Sequence, residues 1–307
     1  MAEGLQHAGQ YIIEDLRLVT TTGLEVNLIT SVLGITIFED ISSMTVTGTI
    51  AIMDSVNLAS HGPLLGQEYL HLKIRTPFVN KDKSTTIDFS ENAFLVHSIS
   101  NRKQITDGVQ GFTLSFVSQE LVKNQRLKVT QSLTDTWSNI VKKMLTDPSY
   151  IDTKKKIDLE PTAGVKKFVA PNVRPLDIIV LGMKQAVSEY KAEPTYLFYE
   201  TLKGFNFRTL ASLYNNAPQL DYIAVATGTN PVGNKDYNVL TELRTVLSYE
   251  IISNNDSIAN YRAGMFGSKL ITHDIISKSY ETKIYNYHDN WENEAHIVSG
   301  VTEGKPD

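Results

Sequence analysis

The 307-residue sequence contains no cysteine. That excludes disulfides, thiolate metal sites and cysteine nucleophiles, and makes a reducing cytoplasm the expected place of folding. Long apolar runs are missing too. The longest nearly unbroken one, Ile178 to Met183, falls far short of the roughly 20 residues that span a bilayer, so no membrane insertion is expected. The N-terminus, MAEGLQHAG, carries an acidic residue and no apolar core, which excludes a signal peptide there. A basic excess is absent as well: the formal charge is −5, against the positive stripe of a general nucleic-acid binder.

What is present is an ordinary globular composition, 41% hydrophobic and 21% charged. The length suits two or three packed units. The first third has strand periodicity. Leu24, Val26 and Leu28 alternate with Glu25 and Asn27, and Ile35, Ile37 and Phe38 form a second run. Met44, Val46, Ile50 and Ile52 alternate with Thr45, Thr47 and Thr49, with Gly48 marking a bulge or a close approach. Leu70, Leu72 and Ile74 alternate with His71, Lys73 and Arg75; residues 94–100 and 112–118 pair around Asp107-Gly108. Five or more half-wet strands predict an antiparallel barrel or sandwich, with Asp54 to Gly66 as a looped excursion.

The period then changes. Ser132 and Asp135 read as a capping box, followed by a helical stripe of Trp137, Ile140, Val141, Met144 and Leu145 that stops before Pro148. Over residues 151–170, five lysines against Asp152, Asp158 and Glu160 give a net +2. Pro175 suits a first helical position. Leu176, Ile179, Val180, Met183 and Val187 keep helical spacing, and Glu193-Pro194 closes the helix. Tyr196 to Tyr199, the turn Lys203-Gly204, and Phe205 with Phe207 predict an aromatic hairpin. Residues 214–238 read as loop, 243–252 as a strand, 257–261 as a short helix, and 266–276 with 280–287 as a hairpin. The tail from His288 carries a net −4.

No catalytic constellation emerges. The seven histidines lack H-x-x-x-H and H-E-x-x-H spacing, and the adjacent pairs His273-Asp274 and His288-Asp289 point to opposite strand faces. Neither a nucleophile elbow nor a phosphate loop is matched: between Gly233 and Lys235 stands Asn234. Glu39-Asp40 reads as a solvated corner and Lys154 to Lys156 as a solvated loop. The threonine face of Thr45, Thr47 and Thr49 is either a solvent-facing strand surface, the lining of a water-filled channel, or a subunit contact.

Three blocks carry a family resemblance: ITIFEDISSMTVTGTIAIMDSVNLASHGPLLGQEYL with HLKIRTP after it, FVAPNVRPLDIIVLGMKQAV with YLFYETLKGFNFRTLASL, and YRAGMFGSKLITHDIISKSY. Together they resemble the baseplate hub proteins of contractile-tailed bacteriophages of the T-even type. The resemblance implies a mainly β, α+β fold with two antiparallel β-barrel tube-type domains and an inserted mixed α/β decorating domain. The first tube domain would be 11–120, the decoration 121–240, and the second 241–307, without the strands that a full second barrel would want. It also implies a homotrimer that imitates a six-fold ring and joins the tail tube, or a tube adaptor, to a central spike. A tape-measure protein and the baseplate wedge are further implied partners, and DNA would pass through the lumen unbound. No cofactor, metal or enzymatic activity is implied. The residues expected in the tube wall or at a subunit interface are Thr45, Thr47, Thr49, Thr113 and Ser115, on strands 43–53 and 110–118. A hub of a related contractile injection system is the alternative, with a hub-associated hydrolase or an adhesin-like module behind it.

Overall fold

The computed structural model describes residues 10–56, 58, 64–77, 86–190, 193–217, 221–224, 244–246, 248, 250 and 256–293. The chain divides into two compact units, Met1–Leu213 with Asn238–Leu243, and Tyr214–Tyr237 with Arg244–Asp307. It is mainly β, with antiparallel sheets and added helices, as the patterning predicts.

The first unit opens with β1 (Ile12–Val19), β2 (Glu25–Asn27), β3 (Val32–Phe38), β4 (Thr47–Asp54), β5 (Tyr69–Arg75), β6 (Thr86–Asp88), β7 (Phe94–Thr106) and β8 (Val109–Ser118). They form one eight-stranded sheet in the order β2-β1-β5-β7-β8-β4-β3, with β6 beside β5. Every pairing in it is antiparallel. The ladder does not close by hydrogen bonding between its end strands. Those ends, β2 and β3, are instead consecutive in the chain. Leu28 still bonds back to Leu16 O at 2.9 Å, and Ser31 O already accepts from Met53 N at 2.8 Å.

Alternation sorts the sheet's two faces. Leu16, Leu18, Ile50, Ile52, Leu70, Leu72, Phe94, Val96, Phe112, Leu114 and Phe116 are buried together on one side. Gly48 meets the closest packing there. A Cβ added to it would lie 2.2 Å from the Phe116 ring and 2.5 Å from Thr36 O, so the expected close approach is real.

The mixed lobe follows: α1 (Gln119–Arg126), β9 (Ser132–Asp135), α2 (Trp137–Thr146), β10 (Ile157–Leu159), β11 (Lys166–Val169), α3 (Pro175–Gln185), β12 (Tyr196–Thr201), β13 (Gly204–Thr209) and α4 (Leu210–Tyr214). The stripe read on α2 is buried in full. It packs with Leu176, Ile178 and Ile179 of α3 and with Tyr196, Phe198, Phe205 and Phe207 of the aromatic hairpin into a second core.

Two boundaries differ from expectation. Ser132 and Asp135 are not a capping box: they lie in β9, which pairs with β11, and the cap of α2 is Thr136, whose hydroxyl accepts from Asn139 N. Cross-strand pairing claimed those residues first. Likewise α3 ends at Gln185 rather than near Glu193. Beyond it, Val187 O accepts from Ala163 N at 2.8 Å, and the Ser188 hydroxyl donates to Glu160 at 2.6 Å. These tertiary bonds replace helical ones.

In the second unit, β14 (Ile223–Ala224) pairs in parallel with β15 (Thr245–Val246). Most of the expected 214–238 loop and half of the 243–252 strand lie outside the described residues, as does the tail from 294. The hairpin appears as expected, β16 (Gly267–Asp274) with β17 (Ser279–Asn286), in unbroken register. It is preceded by α5 (Ser257–Arg262) and followed by α6 (Tyr287–Asn290). Tyr261, Tyr287 and Trp291 gather around Phe266 and each other, with ring centroids 4.9 to 6.2 Å apart.

Candidate functional site

The face of the large sheet opposite its core changes character across its width. At one end, β1 and β5 carry ion pairs: Arg75–Glu14 at 2.6 Å, Lys73–Glu14 at 3.4 Å, Lys73–Asp88 at 3.5 Å and Arg17–Asp15 at 2.8 Å. Glu14 and Asp88 hold the Lys73 ammonium above its usual range.

At the other end, β3, β4, β8 and β7 present hydroxyls. Register places Thr36 opposite Thr49, Thr49 opposite Ser115, and Ser115 opposite Ser98, one continuous row across four strands. The next row reads Gly34, Ala51, Thr113, Ser100, and the preceding one Phe38, Thr47, Val117, Leu95. No charged side chain falls in these three rows. Thr47, Thr49, Thr113 and Ser115 are half-buried, and Thr36 and Ser100 are exposed. Such rows donate and accept hydrogen bonds without carrying a charge of their own.

Of the five residues expected in a tube wall or at a subunit interface, Thr47, Thr49, Thr113 and Ser115 share this sheet face. Thr45 does not: it precedes β4, is only 4% exposed, and its carbonyl accepts from the Ser43 hydroxyl at 2.9 Å. The chain bends before β4 begins, so strand alternation does not extend back to it.

Beside Thr45 lies the junction between the sheet and the mixed lobe, where two residues exchange places. The lobe's Glu200 accepts from Val46 N of the sheet side at 2.8 Å, while the sheet side's Glu39 accepts from Leu202 N at the tip of the aromatic hairpin. Apolar contacts cross in both directions too: Leu202 packs on the sheet's core, and Met44 packs on the lobe's. Glu200 is 1% exposed, and its other oxygen meets Lys155 Nζ at 2.6 Å. Lys155 also holds Glu120 at 2.7 Å. Burial pushes the Glu200 carboxyl up; Lys155 pulls it back, Glu120 raises it again, and the net direction is upward.

This corrects one expectation. Lys155 is not part of a solvated loop, since its side chain is 7% exposed, whereas Glu39 and Asp40 are exposed as a solvated corner should be, with Glu39 also accepting from Leu202 N. The missed signal for Glu200 is phase. Tyr196, Phe198 and Glu200 share one strand face, so the glutamate had to be buried with the two rings.

Among the described residues, no group of three His, Asp or Glu side chains could hold a metal ion, and no helix is long and apolar enough to cross a membrane. Glu120 and Glu200 are both buried at the lobe junction.

The large sheet is thus open and antiparallel, its outer face uncharged in the three hydroxyl-bearing rows and ion-paired at β1 and β5, with the mixed lobe against it. No family model matches the chain. It is similar to the probable baseplate hub protein gp334 of Vibrio phage KVP40, with 24% identity over 251 residues, covering 80% of this chain. The chain spans 56% of the length of that curated relative. The resemblance to T-even-type hub proteins drawn from the three sequence blocks agrees with this relative. Among solved structures, it is similar to the 43 kDa tail protein of prophage MuSo2 from Shewanella oneidensis, with 10% identity and a TM-score of 0.43, over 71% of this chain and 58% of that one. It is also similar to an E. coli type VI secretion system component described as structurally similar to the T4 tail proteins gp27 and gp5. That match has 9% identity and a TM-score of 0.35, over 64% of this chain and 48% of that one.

Proposed function

We propose that this chain is a structural baseplate component of a contractile tail, a hub whose hydroxyl face forms wall. The observation that carries the reading is the uncharged row Thr36–Thr49–Ser115–Ser98, flanked by two more rows without charge. The match to a baseplate hub protein supports it. Residues 11–120 would be a first tube-type domain, 121–240 its decoration, and 241–307 the start of a second. Three copies would then make a ring of six-fold appearance between the tail tube, or its adaptor, and the central spike, and would initiate tube assembly. The hydroxyl rows would face lumen water or a neighbouring subunit, with DNA passing unbound. The tape-measure protein and the baseplate wedge are the remaining expected neighbours. The protein would assemble in the host cytoplasm, reside in the virion and catalyse nothing.

The experiment is a native mass measurement of the chain, alone and with its spike protein, joined to cysteine mapping. Because the sequence has no cysteine, Thr49→Cys introduces a single thiol. Three copies per assembly, with that thiol shielded from a bulky maleimide only in the assembled state, is the expected result. A strict monomer in the assembled particle overturns the hub.

A further inference from the structure

The charges buried at the lobe junction have an unusual stoichiometry. Lys155 Nζ lies 2.7 Å from Glu120 Oε2 and 2.6 Å from Glu200 Oε1, and the three side chains are 7%, 5% and 0% exposed. Two carboxylates share one ammonium, so the fully ionised cluster is left with one net negative charge. The other two carboxylate oxygens are also engaged: Glu120 Oε1 accepts from the Thr153 hydroxyl at 2.7 Å, and Glu200 Oε2 from Val46 N. Hydrogen bonding is complete, but the charge is not balanced, and an uncompensated buried charge is costly.

Among the described residues, no further cation forms an ion pair with Glu120 or Glu200. Lys123 of α1 donates to Asp152 O, and Lys154 is paired with the Asp152 carboxylate at 2.5 Å. Glu91, before β7, adds a further acid to the surroundings. On the sheet side, Glu39 carries a further carboxylate, which is held by Leu202 N. A polar cavity of about 100 Å³ reaches Glu120 and Lys155 and is lined in addition by Glu91, Lys123, Asp152 and Lys154. That volume admits water, and with water a route for protons.

We propose that Glu120, Lys155 and Glu200 form a proton-gated joint, in which Glu200 takes up one proton from solvent and the attachment of the lobe to the sheet passes from a charged to a neutral state. The new O–H bond forms on Glu200 Oε1. The Lys155 N–H···O contact to that oxygen is lost, and Lys155 remains with Glu120 as a balanced pair. Burial, the largest influence on Glu200, favours the proton, and so does the like charge of Glu120. The folded chain therefore binds this proton at higher pH than the unfolded one. Stability from the group increases as pH falls through the folded titration, and levels off below the ordinary 4.5 of a glutamate. The joint is a property of the chain itself and does not depend on assembly into a baseplate.

The test compares thermal unfolding of the full chain and its Glu200→Gln variant between about pH 8 and about pH 5. Glutamine keeps an acceptor for Val46 N and leaves the Glu120–Lys155 pair balanced. The variant is expected to melt above the wild type near pH 8, with the gap closing toward pH 5. Parallel curves, or a variant that melts lower by a constant amount, overturn the proposal. Infrared spectra of the wild type alone provide an independent readout that does not require the variant to fold. As pH falls, the carbonyl band of a buried protonated carboxylic acid should grow in before the ordinary 4.5 of a glutamate is reached, and its absence overturns the joint.

Discussion

The backbone N–H of Val46 donates to Glu200 Oε2 at 2.8 Å, across 154 positions of sequence. It is the buried half of a two-way exchange whose other half is Leu202 N on Glu39. Truncating Glu200 to alanine removes the acceptor of the buried Val46 N–H and opens a void, while Lys155 keeps Glu120. Loss of about 1–3 kcal/mol is expected from the unpaired donor, and the void adds to it. Glu39→Ala, at an exposed partner, should cost about 1 kcal/mol. Urea midpoints of the two variants check the ranking, and equal shifts would contradict it.

Gly48 is expected to be intolerant of any side chain. A Cβ there meets both the Phe116 ring and the Thr36 carbonyl inside 2.6 Å, and the second contact is backbone that cannot rotate away. Gly48→Ala should destabilise by about 3 kcal/mol, the upper end of ordinary overpacking. Gly34→Ala, with open space around its Cβ position and the same pairing partner β4, is the control and should cost under about 1 kcal/mol.

Glu160 gives a pH dependence of opposite sign to that of Glu200. Burial pushes its carboxyl up, but hydrogen bonds from Ser188 and from the Thr209 amide and hydroxyl outweigh that, and the net direction is downward. A carboxyl lowered in the fold contributes stability above its unfolded titration near 4.5, and that stability is lost as pH falls through the folded value. The difference in melting temperature between wild type and Glu160→Gln should therefore be largest at neutral pH and shrink as pH falls below the ordinary 4.5 of a glutamate.

The hydroxyl rows separate folding from assembly. Thr49→Val and Ser115→Val keep the strand and leave half-buried positions filled, so the isolated chain should change by no more than about 0.5 kcal/mol. Thr49→Arg should fold as well but fail to enter the assembled ring, because it places an unpaired charge in a row that has none. Circular dichroism and incorporation into particles read the two effects apart. If Thr49→Arg assembles normally, the row is not a wall or contact surface.

The large sheet was legible because its strands alternate, and the α2 helix because its stripe lay on one face. The outward placement of Thr47, Thr49, Thr113 and Ser115 followed from the same period. Where sequence reasoning stopped was at long-range pairing. Ser132 and Asp135 carry the residue types of a cap, but β11, more than thirty positions on, turned them into a strand. Thr45 lost its phase because Ser43 bends the chain. Lys155 sits in a run of three lysines, and nothing local distinguishes the one that Glu120 and Glu200 enclose from its two neighbours. Partners 35 and 45 positions away made that choice.

The corner at Leu28–Ser31 imposes a geometric limit. Laid flat, the six intervals from β2 to β3 along the ladder would separate its ends by about 29 Å, at roughly 4.8 Å per strand. The five steps from Asn27 to Val32 can reach about 18 Å at most when fully stretched. The sheet therefore cannot be flat: its curl is dictated by chain connectivity, before any packing energy or neighbouring molecule contributes. Lengthening that corner by several residues would be the direct way to let the arc relax, and the radius of whatever the arc encloses would change with it.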